Sequence, residues 1–378
     1  MTTTTLPLPR AETAARDRYE RLLFSLRRRR VGEALRSVVD EARAGGRDVE
    51  GLEGLVRRGV EPLITRTGLA VTVVPDAVGP GCVVIKVATD RASARELRAE
   101  SRTVAVLRDE PAVAPWAHHI PVQVMRGVDQ GRPWVIEQSP STATCLQLGR
   151  RRGFSKGLLE GALATVDDFQ RLTSRKAALT PALIEGIVAA PLRSLAAAWP
   201  AWAGGDVASR TLVEVEDVLC EALSGVTAQV GWTHGDYWLN NILADPTDGA
   251  VVGVIDWGGA SPTDLTGRDP TLLTLSTHSL VHGIDLNTLV GRLIAIYTAA
   301  TAPTAAEARL MRDLEDIWPS TQGVTARQGL VLTWSAYAAL MMRKRSANVL
   351  VPGSWIHLRF AQVVRTLREA GVRRLLTT

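Results

Sequence analysis

The chain has 378 residues, 46% hydrophobic and 22% charged, which supplies apolar material for two domains with true cores. Its net charge of +5 points to an anionic ligand, but the one dense basic run, Arg27–Arg30, has no aromatic residues between the charges and argues against nucleic acid. Cys82, Cys145 and Cys220 are too far apart for a zinc site, no apolar run is long enough to cross a bilayer, and the opening MTTTTLPLPR lacks a signal-peptide core, so the expected setting is the reducing cytoplasm without membrane attachment.

Residues 1 to about 10 read as a patternless lead. From Ala11 to about Leu55, Leu22, Leu23, Leu26, Val31, Leu35, Val38 and Val39 recur at near-helical spacing, and Gly45-Gly46 interrupts them. The texture then changes. Gly59–Ile64, Leu69–Val74 and Cys82–Ala88 are rich in Val and Ile and read as strands. A charged helix is predicted over Arg91–Arg108, and two more strands over Ile120–Arg126 and Pro133–Glu137. Ser139-Pro140-Ser141 reads as a linker. Beyond it helices are expected around 157–175, 181–199, 210–226, 271–300, 304–317, 325–348 and 354–374. The chain thus divides into a helical arm (1–55), a small sheet domain (56–138) and a mainly helical domain (139–378).

One segment interrupts the helical part. GWTHGDYWLNNILADPTDGAVVGVIDWGG, Gly231–Gly259, crowds His234, Asp236, Asn240, Asn241 and Asp256 beside apolar strands. Asn241–Ala244 and Ala250–Ile255 read as a hairpin closed at Asp248-Gly249, because a type I′ turn needs positive φ at both central residues. A two-residue turn there sets Asn241 opposite Asp256, about 5 Å apart at Cβ. Pro246 leaves open a longer turn and a register different by one or two. A carboxylate beside an amide oxygen suits Mg2+, which takes oxygen ligands and completes its shell with phosphate oxygens and water. Asp236, five residues before Asn241, sits on the loop entering the hairpin. A free carboxylate there is placed to orient an acceptor hydroxyl and take its proton.

The order His234-Gly235-Asp236, then Asn241, then Ile255-Asp256-Trp257 resembles the aminoglycoside phosphotransferase and choline-kinase-like family of small-molecule kinases. The resemblance implies a bilobal, protein-kinase-like α+β fold, with a small antiparallel-sheet N-lobe carrying one helix and a larger helical C-lobe. It implies ATP or GTP with Mg2+, Asp236 as catalytic base, and Asn241 and Asp256 as metal ligands. Lys86, inside the apolar strand Cys82–Val87, would hold the nucleotide phosphates. Glu100 is the chosen helix partner for Lys86, with Glu96 one turn earlier as the alternative. The turn Thr65–Gly68 would cover the nucleotide through Thr67 and Gly68, although it carries one glycine where many kinases carry several. The strand through Glu137 would run into the hinge, where backbone groups meet the purine. His234 would support the loop by hydrogen bonding, and either Asp269 or Asp264 would be a further structural aspartate.

The expected partner is a small-molecule hydroxyl acceptor: an antibiotic, nucleoside or sugar-like molecule. Choline would need an aromatic cage, for which Trp238, Trp257, Trp318, Trp334, Trp355, Tyr297 and Tyr337 offer rings that equally suit core packing. Arg343, Lys344 and Arg345 read as a solvated helix end, with attraction of an anionic acceptor as the alternative. The basic arm is compatible with packing on the small lobe or with a homodimer. Two rival readings are a Ser/Thr protein kinase and a catalytically silent kinase-fold binding module. The first lacks His-Arg-Asp and Asp-Phe-Gly forms. The intact Asp236, Asn241 and Asp256 set argues against the second.

Overall fold

Alternating Val and Ile residues between turns build a five-stranded antiparallel sheet, the frame of the first of two compact units. The structure, a computed structural model, describes residues 40, 43, 63–65, 68–75, 81–129, 131–199, 205–319, 323–344 and 355–377. The arm expected over 1–55 therefore lies outside the described residues, apart from Asp40 and Arg43, and so do Thr67, Arg345 and the side chain of Trp355.

The first unit comprises residues up to Ser101 together with Val122–Ser139. Its strands are β1 (Leu63–Ile64), β2 (Leu69–Pro75), β3 (Cys82–Ala88), β4 (Val122–Asp129) and β5 (Arg132–Ser139), in the order β1-β2-β3-β5-β4. One helix, α1 (Arg91–Asp109), follows β3. Asp90 starts it, accepting the Ser93 backbone N–H at 2.8 Å. Residues Ala94 and Leu97 of α1 join Leu69, Ala88 and Val135 of the sheet in one apolar cluster. The β3–β5 register sets Lys86 opposite Val135. Residues two apart share a face of a strand, so Glu137 lies on the same face as Lys86.

The second unit holds Arg102–Pro121 and Pro140–Thr378 and is mainly helical. Its helices are α2 (Cys145–Arg152), α3 (Lys156–Thr173), α4 (Pro181–Ile184), α5 (Ala190–Ala197), α6 (Gly205–Leu223), α7 (Arg268–His282), α8 (Leu286–Tyr297), α9 (Ala305–Ile317), α10 (Ala326–Lys344), α11 (Trp355–Ala370) and α12 (Val372–Thr377). One core gathers Leu192, Leu212, Leu293, Leu314 and Leu332. A second gathers Leu107, Trp116, Phe169, Tyr237, Ile242, Val254 and Trp257. Each such side chain stabilises the unit by about 1.5–3 kcal/mol relative to exposure. This is the α+β arrangement expected: a small antiparallel sheet with one helix, and a larger helical unit.

Several boundaries differ from expectation. The strand expected from Ile120 begins at Val122, because Pro111–His119 forms a 3-10 segment capped at Ile120. The helix expected over 271–300 breaks at Gly283, which closes α7 in the left-handed region. A three-stranded sheet, β10-β7-β6, was not expected. It consists of β6 (Arg175–Ala178), β7 (Thr227–Thr233) and β10 (Ser261–Leu265). Arg-Lys-Ala-Ala in β6 favours helix locally, and pairing with β7 overrides that preference. Among the described residues no single helix is long and apolar enough to cross a membrane.

Candidate active site

The hairpin read in the sequence exists, as β8 (Ile242–Ala244) and β9 (Val251–Val254). Its loop is longer than two residues. The Asp245 N–H reaches the Ala250 carbonyl at 2.8 Å, and the Gly249 N–H reaches the Asp245 carbonyl at 2.9 Å. The register moves accordingly, with Ile242 opposite Val254 and the Ile255 N–H on the Asn241 carbonyl at 2.9 Å. Asn241 therefore faces Ile255 instead of Asp256, which corrects the expected pairing by one residue. The hairpin is buried: Ile242, Ala244 and Val254 are fully enclosed. Ser141 and Ala143 clamp it, the Ser141 hydroxyl donating to Ala244 at 2.8 Å and the Ala244 N–H to Ala143 at 3.0 Å.

The loop before the hairpin is held from below by Asp269. Its carboxylate accepts the backbone N–H groups of His234 at 2.6 Å and Gly235 at 2.9 Å. Asp264 is engaged elsewhere, with Arg268 at 2.7 Å, so Asp269 is the loop's anchor. Burial raises the Asp269 carboxyl to about 7 against the opposing backbone bonds. Its contribution to stability is thus full below about pH 4 and is lost as pH rises through about 7. In urea unfolding, the stability advantage of wild type over Asp269→Asn is expected to shrink across that window. A difference independent of pH would contradict this. Asp269→Ala leaves the buried His234 donor and the half-buried Gly235 donor without this acceptor and is expected to cost about 1–3 kcal/mol, chiefly at His234.

Gly235 has two reasons to be glycine. Its φ is +76°, and a Cβ there would lie 2.2 Å from the Gly259 carbonyl oxygen. That oxygen is backbone and cannot turn aside. Gly235→Ala is expected to destabilise the chain by roughly 2–4 kcal/mol and to displace Asp236, read by thermal unfolding and turnover together. His234 Nε2 lies 2.9 Å from the Ile255 carbonyl, and the Asp236 N–H donates to His234 Nδ1 at 3.3 Å. Burial first among causes lowers the His234 pKa, so the ring is neutral with its proton on Nε2.

Asp236 and Asn241 are buried, and the Asn241 amide nitrogen donates to the Asp236 carbonyl at 2.8 Å. That commits the nitrogen and leaves the amide oxygen as the atom able to meet a cation. Asp256 follows β9 in the left-handed region, φ 65° and ψ 55°, a conformation uncommon outside glycine. The Lys344 ammonium on α10 meets Asp236 Oδ2 at 2.9 Å and Asp256 Oδ2 at 3.1 Å. The two carboxylates thus share one cationic partner. Nothing in the local sequence marks Lys344, which the sequence reading assigned to a solvated helix end.

In the first unit, Lys86 Nζ lies 2.7 Å from Glu100 Oε1 and 2.8 Å from Glu137 Oε2. Glu100, not Glu96, is therefore the helix carboxylate at Lys86. Burial pulls the Lys86 pKa down, and the two carboxylates outweigh it, so the net shift is upward and the lysine stays charged. Glu137, whose backbone is expected at the approach to the hinge, has a side-chain partner that the sequence did not indicate. It lies within β5, two residues before the strand's end, and its side chain serves Lys86. Gln123 donates to Glu137 at 3.3 Å and accepts from the Ser101 hydroxyl at 2.8 Å, which completes a buried polar network.

Gly68 sits at φ +84°, its N–H bonds the Thr65 carbonyl at 3.0 Å within the turn, and its carbonyl accepts from Thr89, just beyond β3. Thr67, its neighbour in the turn expected to cover the nucleotide, lies outside the described residues. Three of the seven candidate cage rings are core: Trp257, Trp318 and Trp334 are buried. The Trp318 and Trp334 indole N–H groups donate to Thr271 at 2.7 Å and Asn287 at 3.0 Å.

A hard divalent cation fits this donor set. Asp256 and the Asn241 amide offer oxygen, and the carboxylate pair already accepts a cationic group. Among the described residues no group of three or more His, Cys, Asp or Glu could hold a metal alone. Mg2+ in particular leaves several positions to water and substrate phosphates.

The sequence model of the phosphotransferase enzyme family matches residues 72–266, just over half of the chain. Among solved structures, an aminoglycoside phosphotransferase from Streptomyces rimosus is 16% identical, covering 77% of this chain and 98% of that one, with a TM-score of 0.44. An aminoglycoside-3'-phosphotransferase of type VIII is 17% identical, over 76% of this chain and 97% of that one, with a TM-score of 0.40. A glucosamine kinase in complex with glucosamine, ADP and inorganic phosphate is 16% identical, over 79% and 80%, with a TM-score of 0.39. No curated protein sequence is significantly similar to the chain.

Proposed function

The chain belongs to the phosphotransferase enzyme family, and from that premise we propose that it transfers the γ-phosphate of ATP or GTP to a hydroxyl of a small molecule. The observation that carries this reading is the convergence of Asp236 and Asp256 on one cationic group, next to an asparagine whose amide nitrogen is committed to the Asp236 carbonyl.

Asp236 orients the acceptor hydroxyl and takes its proton as the hydroxyl oxygen bonds to the γ-phosphorus. The bond from that phosphorus to the bridging β–γ oxygen breaks, and the nucleoside diphosphate leaves. Asn241 and Asp256 would hold Mg2+, which when bound neutralises charge on the phosphate oxygens. Lys86 binds nucleotide phosphate. An ammonium has three N–H donors, and Glu100 and Glu137 engage two, which leaves the third for a phosphate oxygen. His234, Gly235 and Asp269 keep the base in place.

The acceptor is an antibiotic, nucleoside or sugar-like hydroxyl compound. Burial of Trp257, Trp318 and Trp334 removes three of the rings a quaternary-ammonium cage would use. The test is nucleotide turnover with Mg2+ across aminoglycosides, macrolides, nucleoside antibiotics, sugars and choline, with the phosphorylated product identified by mass. A gain of one phosphoryl group on one acceptor class is expected. Nucleotide binding with no product on any of these, or phosphorylation of peptides alone, would overturn the proposal.

A further inference from the structure

We propose that Lys344 is a positioning residue of the phosphoryl-transfer site: its ammonium aligns the Asp236 and Asp256 carboxylates and competes with the divalent cation for Asp256. The inference rests on the proposed kinase reading and adds to it a residue outside the motifs that suggested that reading.

The two aspartates come from different loops, one before β8 and one after β9, and their like charges repel. The hairpin register separates Asn241 from Asp256 by one residue, so strand pairing alone does not set these side chains opposite one another. The group that bridges them is Lys344, at 2.9 Å and 3.1 Å. Its side chain is 14% exposed, unlike a solvated lysine at a helix end.

The helix that delivers it is firmly seated. Along α10, Leu330, Val331, Trp334, Ala338 and Met342 are buried. Gln328 donates to the Leu376 carbonyl at 2.9 Å, and Trp334 to Asn287 at 3.0 Å. Leu340 lies one helical turn before Lys344 and shares its face. A Cβ on Gly259 would lie 3.2 Å from Leu340 Cδ2, so this face of α10 rests against the turn that begins at Asp256. The ammonium is thus placed by packing, not by a flexible tail.

The chemistry then runs in two directions. A fixed ammonium holds the Asp236 carboxylate in one orientation, which favours turnover. The same ammonium occupies a carboxylate that a divalent cation also needs, which weakens metal binding in the absence of nucleotide. Removing the charge should therefore separate the two properties: tighter metal binding and slower chemistry.

The experiment compares Lys344→Met, Lys344→Arg and wild type. Mn2+ is titrated into nucleotide-free protein by electron paramagnetic resonance, and steady-state kinetics are measured with the acceptor that the turnover screen identifies. Thermal unfolding confirms that each variant is folded. Lys344→Met is expected to bind Mn2+ about five- to tenfold more tightly, through relief of like-charge competition. Its kcat is expected to fall about ten- to a hundredfold with acceptor KM within twofold, the pattern of a misplaced group and not of lost binding. Lys344→Arg restores part of kcat. Mn2+ affinity unchanged in Lys344→Met overturns the competition, and unchanged kcat overturns the positioning role. The Mn2+ titration needs no acceptor, so failure of the kinase reading is read separately from failure of this one.

Discussion

Replacing Asp236 by Asn is expected to lower kcat by about two to four orders of magnitude, the range contributed by a positioned general base. The amide keeps the shape of the side chain and can still meet the Lys344 ammonium through its oxygen, but it cannot accept the acceptor's proton. The backbone around it is held independently, by Asn241 on the Asp236 carbonyl and by Asp269 beneath His234 and Gly235. Thermal stability should therefore stay close to wild type, and nucleotide affinity, measured by calorimetry, should change little. A variant retaining more than a tenth of wild-type kcat would remove Asp236 from the chemistry and return the assignment to the drawing board.

Lys86→Ala is expected to destabilise the first unit strongly. It leaves Glu100 and Glu137 facing each other in a buried setting without the cation that now lies 2.7 Å and 2.8 Å from them. Removing one member of a buried ionic group typically costs about 3–5 kcal/mol, because the partners keep their desolvation penalty and lose their attraction. Part of that loss is relieved if a carboxylate takes up a proton. Pairing the change with Glu100→Gln should recover some stability, since one of the two stranded charges is then gone. Denaturant unfolding of the single and double variants measures this directly. If Lys86→Ala unfolds at the wild-type denaturant concentration, the buried network does not stabilise the first unit. Under the proposed function, nucleotide KM should also rise in Lys86→Arg, where the charge remains but the compact ammonium is replaced by a planar fork.

Much of this arrangement was legible in the sequence. The Asp-Gly pair and the Val- and Ile-rich segments announced a hairpin, and the spacing of Asp236, Asn241 and Asp256 announced its chemistry. Lys86 stood out as a charge inside an apolar strand. These signals are short-range: a left-handed turn, a period of two, a charge flanked by aliphatic residues. The family named from the motifs His234-Gly235-Asp236 and Ile255-Asp256-Trp257 is the family to which the chain belongs.

Other features had no local signature. The hairpin's exact partners depended on how the loop closed: the bond from Asp245 to Ala250 closes a longer turn, and the register slipped by one. The choice between Glu100 and Glu96 could not be made from helical spacing, because residues four apart share a face. The choice between Asp269 and Asp264 rested on which carboxylate met the His234 and Gly235 amides, a matter of how α7 packs under the loop. The strand β6 carried helix-favouring residues and was visible only through its pairing with β7.

The sequence alone determined the order of the chemistry-bearing residues, the α+β character and the presence of the hairpin, because turn formation and strand alternation act over a few residues. Only the tertiary structure decided which charges meet. Glu137 reaches Lys86 because β5 pairs with β3, 51 residues apart at these two positions, and Lys344 reaches Asp236 across 108 residues because α10 packs on the turn after Asp256. Coulombic partners in a folded chain are chosen by distance in space, and in a chain whose cores are assembled from distant helices that distance is set by packing and cannot be read from spacing along the backbone.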